Sequence, residues 1–226
     1  MHARHNRGYA KAIDILVGSL FRLVFRKLTI RGTVGDDRLP MLVIANHFSW
    51  WDGYAARTVN RNVFRRRFHV MMREDELRKR PFLTRLGAFS IRRQSKSALH
   101  TINYAATLLT DPENMVLLYP QGKFQSQHRF PLTFEKGWFR IPEKAQVPIR
   151  IVFMASLVDF FEKKRPSLTV YLQEASVTDA PRSEATGDRD RRHVPFADAG
   201  SLENAYNAFL AQAIESQERS IHSDRP

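Results

Sequence analysis

A histidine and an aspartate five residues apart, His47 and Asp52, stand just past the apolar run Met41-Leu42-Val43-Ile44-Ala45, which ends at Asn46. The run reads as a buried strand, and Phe48-Ser49-Trp50-Trp51 as a turn into a new helix. Ligands of α/β proteins bind outside the carboxyl ends of their strands, so such an exit is where chemistry gathers. A histidine takes a proton near neutral pH when its tautomer and orientation are fixed. A carboxylate one helical turn further along can fold back onto the imidazole and fix both. The pair therefore reads as a general base with its orienting acid. It brings no serine or cysteine nucleophile, which points to a base acting on a hydroxyl carried by the substrate. The plainer reading of the same residues is a structural histidine and a helix-capping aspartate.

Alternating strand-like and helix-like stretches must position this pair. Residues 68–72, 88–91, 115–119, 148–154 and 168–172 are rich in β-formers, while 97–110 and 202–214 carry helical spacing. The pattern predicts an α/β fold with a mostly parallel, partly mixed sheet flanked by helices. The polar stretch 178–199 reads as a surface loop, and the tail from Gln217 as frayed.

At the N-terminus, Ile13, Leu16, Val17, Leu20, Phe21, Val24 and Leu28 recur at helical spacing, with Lys11, Asp14, Gly18, Arg22 and Arg26 on the other side. Arg22, Arg26 and Lys27 interrupt this stretch too early for a spanning helix, which needs roughly 20 mainly apolar residues. No small-residue cleavage site follows it, so it does not read as a secretory signal. A basic amphipathic helix suits the headgroup layer of a membrane, and Leu16, Leu20 and Phe21 are the residues expected to meet lipid. Packing of the same face into the core is the alternative.

Composition narrows the partners. The chain of 226 residues carries a formal net charge of +13, which calls for a polyanion, either a membrane surface or nucleic acid. The run from Arg57 to Arg67 adds a basic patch suited to phosphates or to a solvated surface. Base-stacking and groove-reading modules are missing, so nucleic acid is not expected as a partner. The chain has no cysteine, which excludes disulfides, thiolate catalysis and cysteine metal sites. No spaced His/Asp cluster suggests a metal, and none is expected.

Four ordered blocks give the chain a resemblance to the glycerolipid acyltransferases, the family of 1-acylglycerol-3-phosphate acyltransferases. Asn46-His47-Phe48-Ser49-Trp50-Trp51-Asp52 matches its Asn-His, four residues, Asp block. Gly87-Ala88-Phe89-Ser90-Ile91-Arg92-Arg93 resembles the second block. Tyr119-Pro120-Gln121-Gly122-Lys123-Phe124 stands where the family has Phe-Pro-Glu-Gly-Thr-Arg, and Val147-Pro148-Ile149 resembles the fourth block. Phe134-Glu135-Lys136-Gly137 resembles a Phe-Lys-x-Gly stretch between the last two.

The resemblance implies an O-acyltransferase. His47 removes a proton from an acceptor hydroxyl as it attacks an acyl thioester, and Asp52 holds the ring. The donor is a coenzyme A or acyl carrier protein thioester, with no further cofactor. Asn46, Ser49, Arg92, Arg93, Gln121, Gly122 and Lys123 are the substrate-binding candidates, with N–H groups around Gly122 facing the carbonyl oxygen. The third block departs from the family: Gln121 replaces Glu, Lys123 replaces Thr, and Phe124 replaces the Arg associated with the acceptor phosphate. The acceptor is then either lysophosphatidic acid, with Lys123, Arg92, Arg93 or Arg129 taking over, or a less charged glycolipid or glycosylated terpenoid. The expected layout is a membrane-associating segment over 1–35 and an acyltransferase domain over 36–226, monotopic on the cytoplasmic face. A catalytically silent lipid-binding relative and a basic nucleic-acid-binding protein are the competing classes.

Overall fold

The computed structural model describes residues 1–35, 38–91, 97–145, 147–177 and 198–223. Helix α1 (Arg7–Val24) leads into strand β1 (Lys27–Arg31), then β2 (Met41–Ala45) and α2 (Asp52–Val59), which runs on as a π-helical turn, Asn60–Phe64. Then come β3 (Arg67–Arg73), α3 (Glu74–Lys79), β4 (Ala88–Ile91), α4 (Ser97–Leu108) and β5 (Asn114–Leu118). The chain finishes with α5 (Arg140–Lys144), β6 (Arg150–Asp159), β7 (Ser167–Val177) and α6 (Ala199–Ser223).

Seven strands form one sheet in the order β1-β7-β6-β2-β5-β3-β4. Every neighbouring pair is parallel except β6 and β7, which form an antiparallel hairpin. The sheet is thus mostly parallel and partly mixed, as the sequence pattern indicates. Its central strands are apolar on both faces because helices cover both. Leu42, Ile44, Val116 and Leu118 pack with Ile102, Ala105, Ile141, Leu202 and Tyr206 on the side of α4, α5 and α6. Met41, Val43, Ala45, Met115 and Leu117 pack with Phe21, Ala55, Ala56 and Val59 on the side of α1 and α2. The two-residue period of each strand sorts one continuous apolar run into two cores.

Gly87 shows why the second block needs glycine. Its φ is +100°, and a Cβ there would lie 2.0 Å from the carbonyl oxygen of Phe68. The backbone must pass that close for β4 to enter the sheet beside β3, so a side chain is excluded twice over.

Three expectations need correction. Phe21, expected to meet lipid with Leu16 and Leu20, is only 6% exposed, against 56% and 44% for those two. Its ring stacks on Phe25 at 4.5 Å and packs against Trp51 and Tyr54. Successive helical residues are rotated by about 100°, and that step takes Phe21 under the helix while Leu20 stays outside. From Gln217 to Ser223 the chain is not frayed: α6 continues to Ser223, Tyr171 Oη donates to Gln217 Oε1 at 2.8 Å, and Gln217 Nε2 donates to Asp159 at 2.9 Å. Residues 27–31, read within the N-terminal segment, form an edge strand of the sheet on β7. The expected surface loop lies, up to residue 197, outside the described residues.

Candidate active site

The site forms where β2 ends. Asn46 fastens that exit to the neighbouring strand: its Nδ2 donates to Ser156 O and its Oδ1 accepts from Ser156 N, both at 2.8 Å. With both ends committed to backbone, Asn46 sets the path of the chain and does not reach toward a substrate.

The next residues wrap around one carboxylate. Asp52 is the first residue of α2, and its side chain is 1% exposed. Its Oδ2 accepts from His47 Nδ1 at 2.8 Å, from Phe48 N at 2.8 Å and from Ser49 N at 2.9 Å. All three donors precede the helix, so Asp52 is not an ordinary cap, which would accept from the helix's own first N–H groups. Held on Nδ1, the imidazole has Nε2 as its outward nitrogen. Ser49 supports the turn itself, its Oγ accepting from Trp51 N at 3.1 Å.

The third block closes over His47 from the end of β5. Gln121, buried, accepts the His47 N–H on Oε1 at 2.6 Å and donates from Nε2 to Gln125 Oε1 at 2.9 Å. Gln125 N in turn donates to His47 O at 2.9 Å. The two glutamines clasp the peptide of His47 from both sides. Gln121 is therefore engaged inside the protein, not free to handle an acceptor. Gly122 makes the clasp compact: its φ is +65°, and its N–H donates to Tyr119 O at 3.0 Å. That bond takes the Gly122 N–H expected to face the carbonyl oxygen of a substrate.

Two aromatic rings fix the imidazole. Tyr119 stacks on His47 with centroids 4.1 Å apart and planes 19° apart. Phe124 lies on the ring at 4.0 Å with a 31° tilt. The Tyr119 hydroxyl and Asp52 Oδ1 are both buried and have no hydrogen-bond partner among the described residues. Burial, with the nearby Asp52 charge and Tyr206, pushes the Tyr119 phenol well above its usual pKa and keeps it protonated. Motif reasoning marks Phe124 only as the replacement of an arginine and gives Tyr119 no role; neither is expected to stack on His47, although both lie inside the third block.

Of the remaining candidates, Lys123 is exposed beside Phe124. Arg92 and Arg93 lie outside the described residues. The Arg57 to Arg67 patch is partly spent on the fold: Arg57 pairs with Asp14 at 2.8 Å and also donates to Leu86 O at 3.1 Å. Arg66 donates to Pro112 O at 2.8 Å, and Arg67 pairs with Asp111 at 3.3 Å.

A buried carboxylate, an oriented histidine at the exit of β2 and a clasp from the turn after β5 make up the site. The family described as Acyltransferase matches residues 27–154, from β1 through most of β6, and the chain belongs to that family. It is an acyltransferase, with lipids and acyl donors as its general substrate classes. No curated protein matches the chain.

Proposed function

We propose that the protein transfers a fatty acyl group from an acyl thioester, on coenzyme A or an acyl carrier protein, to a hydroxyl of a weakly charged lipid. The observation that carries this reading is the His47–Asp52 pair, bonded at 2.8 Å with Asp52 buried and the imidazole held between two rings. His47 Nε2 takes the proton of the acceptor hydroxyl as its oxygen attacks the thioester carbonyl carbon. The tetrahedral intermediate collapses, the C–S bond breaks, and the imidazolium returns the proton to the departing thiolate. Asp52 stabilises the imidazolium in between. The chemistry draws on no cofactor beyond the donor.

Phe124 favours the weakly charged acceptor. A buried phosphate needs charged partners, and an apolar ring covers the base where the family carries arginine. A glycolipid or a glycosylated terpenoid meets that requirement better than lysophosphatidic acid. No helix among the described residues is long and apolar enough to cross a membrane. We place the protein on the cytoplasmic face as a monotopic enzyme, held by the outward side of α1 through Leu16 and Leu20.

The test is turnover with an acyl-coenzyme A donor and paired lipid acceptors. His47→Ala is expected to lower kcat by about a thousandfold, with Asp52→Asn close behind, while the protein stays folded. A folded His47→Ala protein with near wild-type turnover would end this mechanism.

A further inference from the structure

The β6–β7 hairpin, residues 160–166, carries Phe160-Phe161-Glu162-Lys163-Lys164-Arg165-Pro166. β6 runs parallel to β2, with Met154 opposite Ala45, and then continues to Asp159. The hairpin therefore turns at the end of the sheet that carries His47. α1 reaches the same end, because Val24 precedes β1, whose first residue Lys27 lies opposite Ser167.

Hydrogen bonds lace these segments together. Arg165 Nη1 donates to Arg22 O at 2.7 Å, and Arg26 N donates to Pro166 O at 2.8 Å. The loop after β5 is tied to β6 by Gln127, whose amide exchanges bonds of 2.9 and 3.0 Å with Val158 O and N. Trp51, packed on Phe21 of α1 and on Phe25 just after it, holds Trp50 edge-on at 5.0 Å.

Each of these segments leaves an apolar side chain in solvent: Leu23 and Val24 on α1, Trp50 in the turn, Phe124 and Phe130 in the loop, and Phe160 on the hairpin. Scattered exposed apolar residues are ordinary, but six on four connected segments at one end of a sheet are not. Lys163, Lys164 and Arg165 are exposed beside them, against one acidic residue, Glu162.

We propose that this end of the molecule is a docking face for an anionic bilayer, with the β6–β7 hairpin as a second anchor beside α1. The proposal deepens the membrane placement made above, and it points the His47 end of the sheet at the lipid. Tryptophan suits the headgroup layer, and basic side chains are drawn to an anionic surface. An acidic protein partner would answer the charge but not the outward Leu23, Trp50 and Phe160.

The full chain is floated with vesicles of phosphatidylcholine alone and of phosphatidylcholine with phosphatidylglycerol in equal parts. Wild type is expected to float with the anionic vesicles. The triple variant Phe160→Ser, Lys163→Glu, Lys164→Glu is expected to lose roughly tenfold in bound fraction, with unchanged circular dichroism. In parallel, vesicles with brominated acyl chains are expected to quench tryptophan fluorescence of the wild type, and Trp50→Phe to remove most of that quenching. Equal flotation on neutral vesicles, no flotation of the wild type, wild-type flotation of the triple variant, or quenching undiminished in Trp50→Phe each overturns the proposal. None of these readouts uses turnover, so they stand apart from the acyl-transfer reading.

Discussion

The ring of Phe124 rests 4.0 Å from that of His47, and the ring of Tyr119 stacks on the same imidazole at 4.1 Å. An apolar ring thus sits against His47 at the third-block position where the resemblance leads one to expect arginine.

Replacing Phe124 with Arg is expected to raise kcat/KM for lysophosphatidic acid relative to a neutral glycolipid acceptor by roughly tenfold. A new charge-assisted bond to phosphate is worth about 1.5–3 kcal/mol. Side-by-side assays with one donor decide it. An unchanged ratio in both Phe124→Arg and Phe124→Ala would remove Phe124 from acceptor choice.

Gln121→Ala leaves the His47 N–H without its partner, and a buried orphan donor costs about 1–3 kcal/mol. A fall in Tm is expected, together with a loss of turnover as the His47 peptide loosens. Gln121→Glu still offers an oxygen to that N–H, so it should retain more of both. Thermal unfolding and kcat measured on the two variants test this; an alanine variant as stable and active as wild type would refute the clasp.

The two sides of α1 should respond differently to the same change. Phe21→Ser removes a buried aromatic and is expected to cost about 3–5 kcal/mol. Leu16→Ser with Leu20→Ser should leave thermal stability nearly unchanged and weaken vesicle binding. Equal destabilisation by both sets would show that the outer side packs within the fold.

Acid should loosen the contact between the N-terminal arm and the sheet. His5 Nε2 lies 3.5 Å from His69 Nδ1, and His69 Nε2 meets Asn114 Oδ1 at 3.2 Å. Burial, then His5, lowers the His69 pKa from 6.5 to about 4; burial, then Arg67 and Arg57, lowers that of His5. The hydrogen bond with Asn114, and after it Asp111, oppose the shift on His69 without cancelling it. A depressed histidine pKa means the unfolded chain binds more protons, so stability is full above pH 6.5 and is lost as pH falls toward 4. Denaturant unfolding across that range should show the decline, and His69→Asn should flatten it. A slope unaltered in His69→Asn would assign the acid sensitivity elsewhere.

Much of this architecture is legible in sequence because the central strands are unbroken apolar runs and the helices between them keep their period. The His47–Asp52 pair is legible because its geometry is local, closed within one turn. What sequence concealed is non-local. Asn46 and Gln121 look like substrate handles in a motif, yet their partners, Ser156 and the His47 peptide, come from distant positions. Periodicity marked α1 as apolar but could not separate Leu20 from Phe21, since Trp51 and Tyr54 decide which side is inside. Lys27–Arg31 is a short edge strand whose identity depends wholly on β7.

That edge strand also orders events during synthesis. Lys27 lies opposite Ser167, so β1 has no strand to pair with until β7 has left the ribosome. At about 5–20 residues per second, this leaves α1 and β1 without their sheet for on the order of ten seconds. During that interval the apolar side chains of α1, Leu16 and Leu20 among them, have no sheet to pack against. An α1 that binds a bilayer as proposed above can therefore do so before the rest of the sheet is complete.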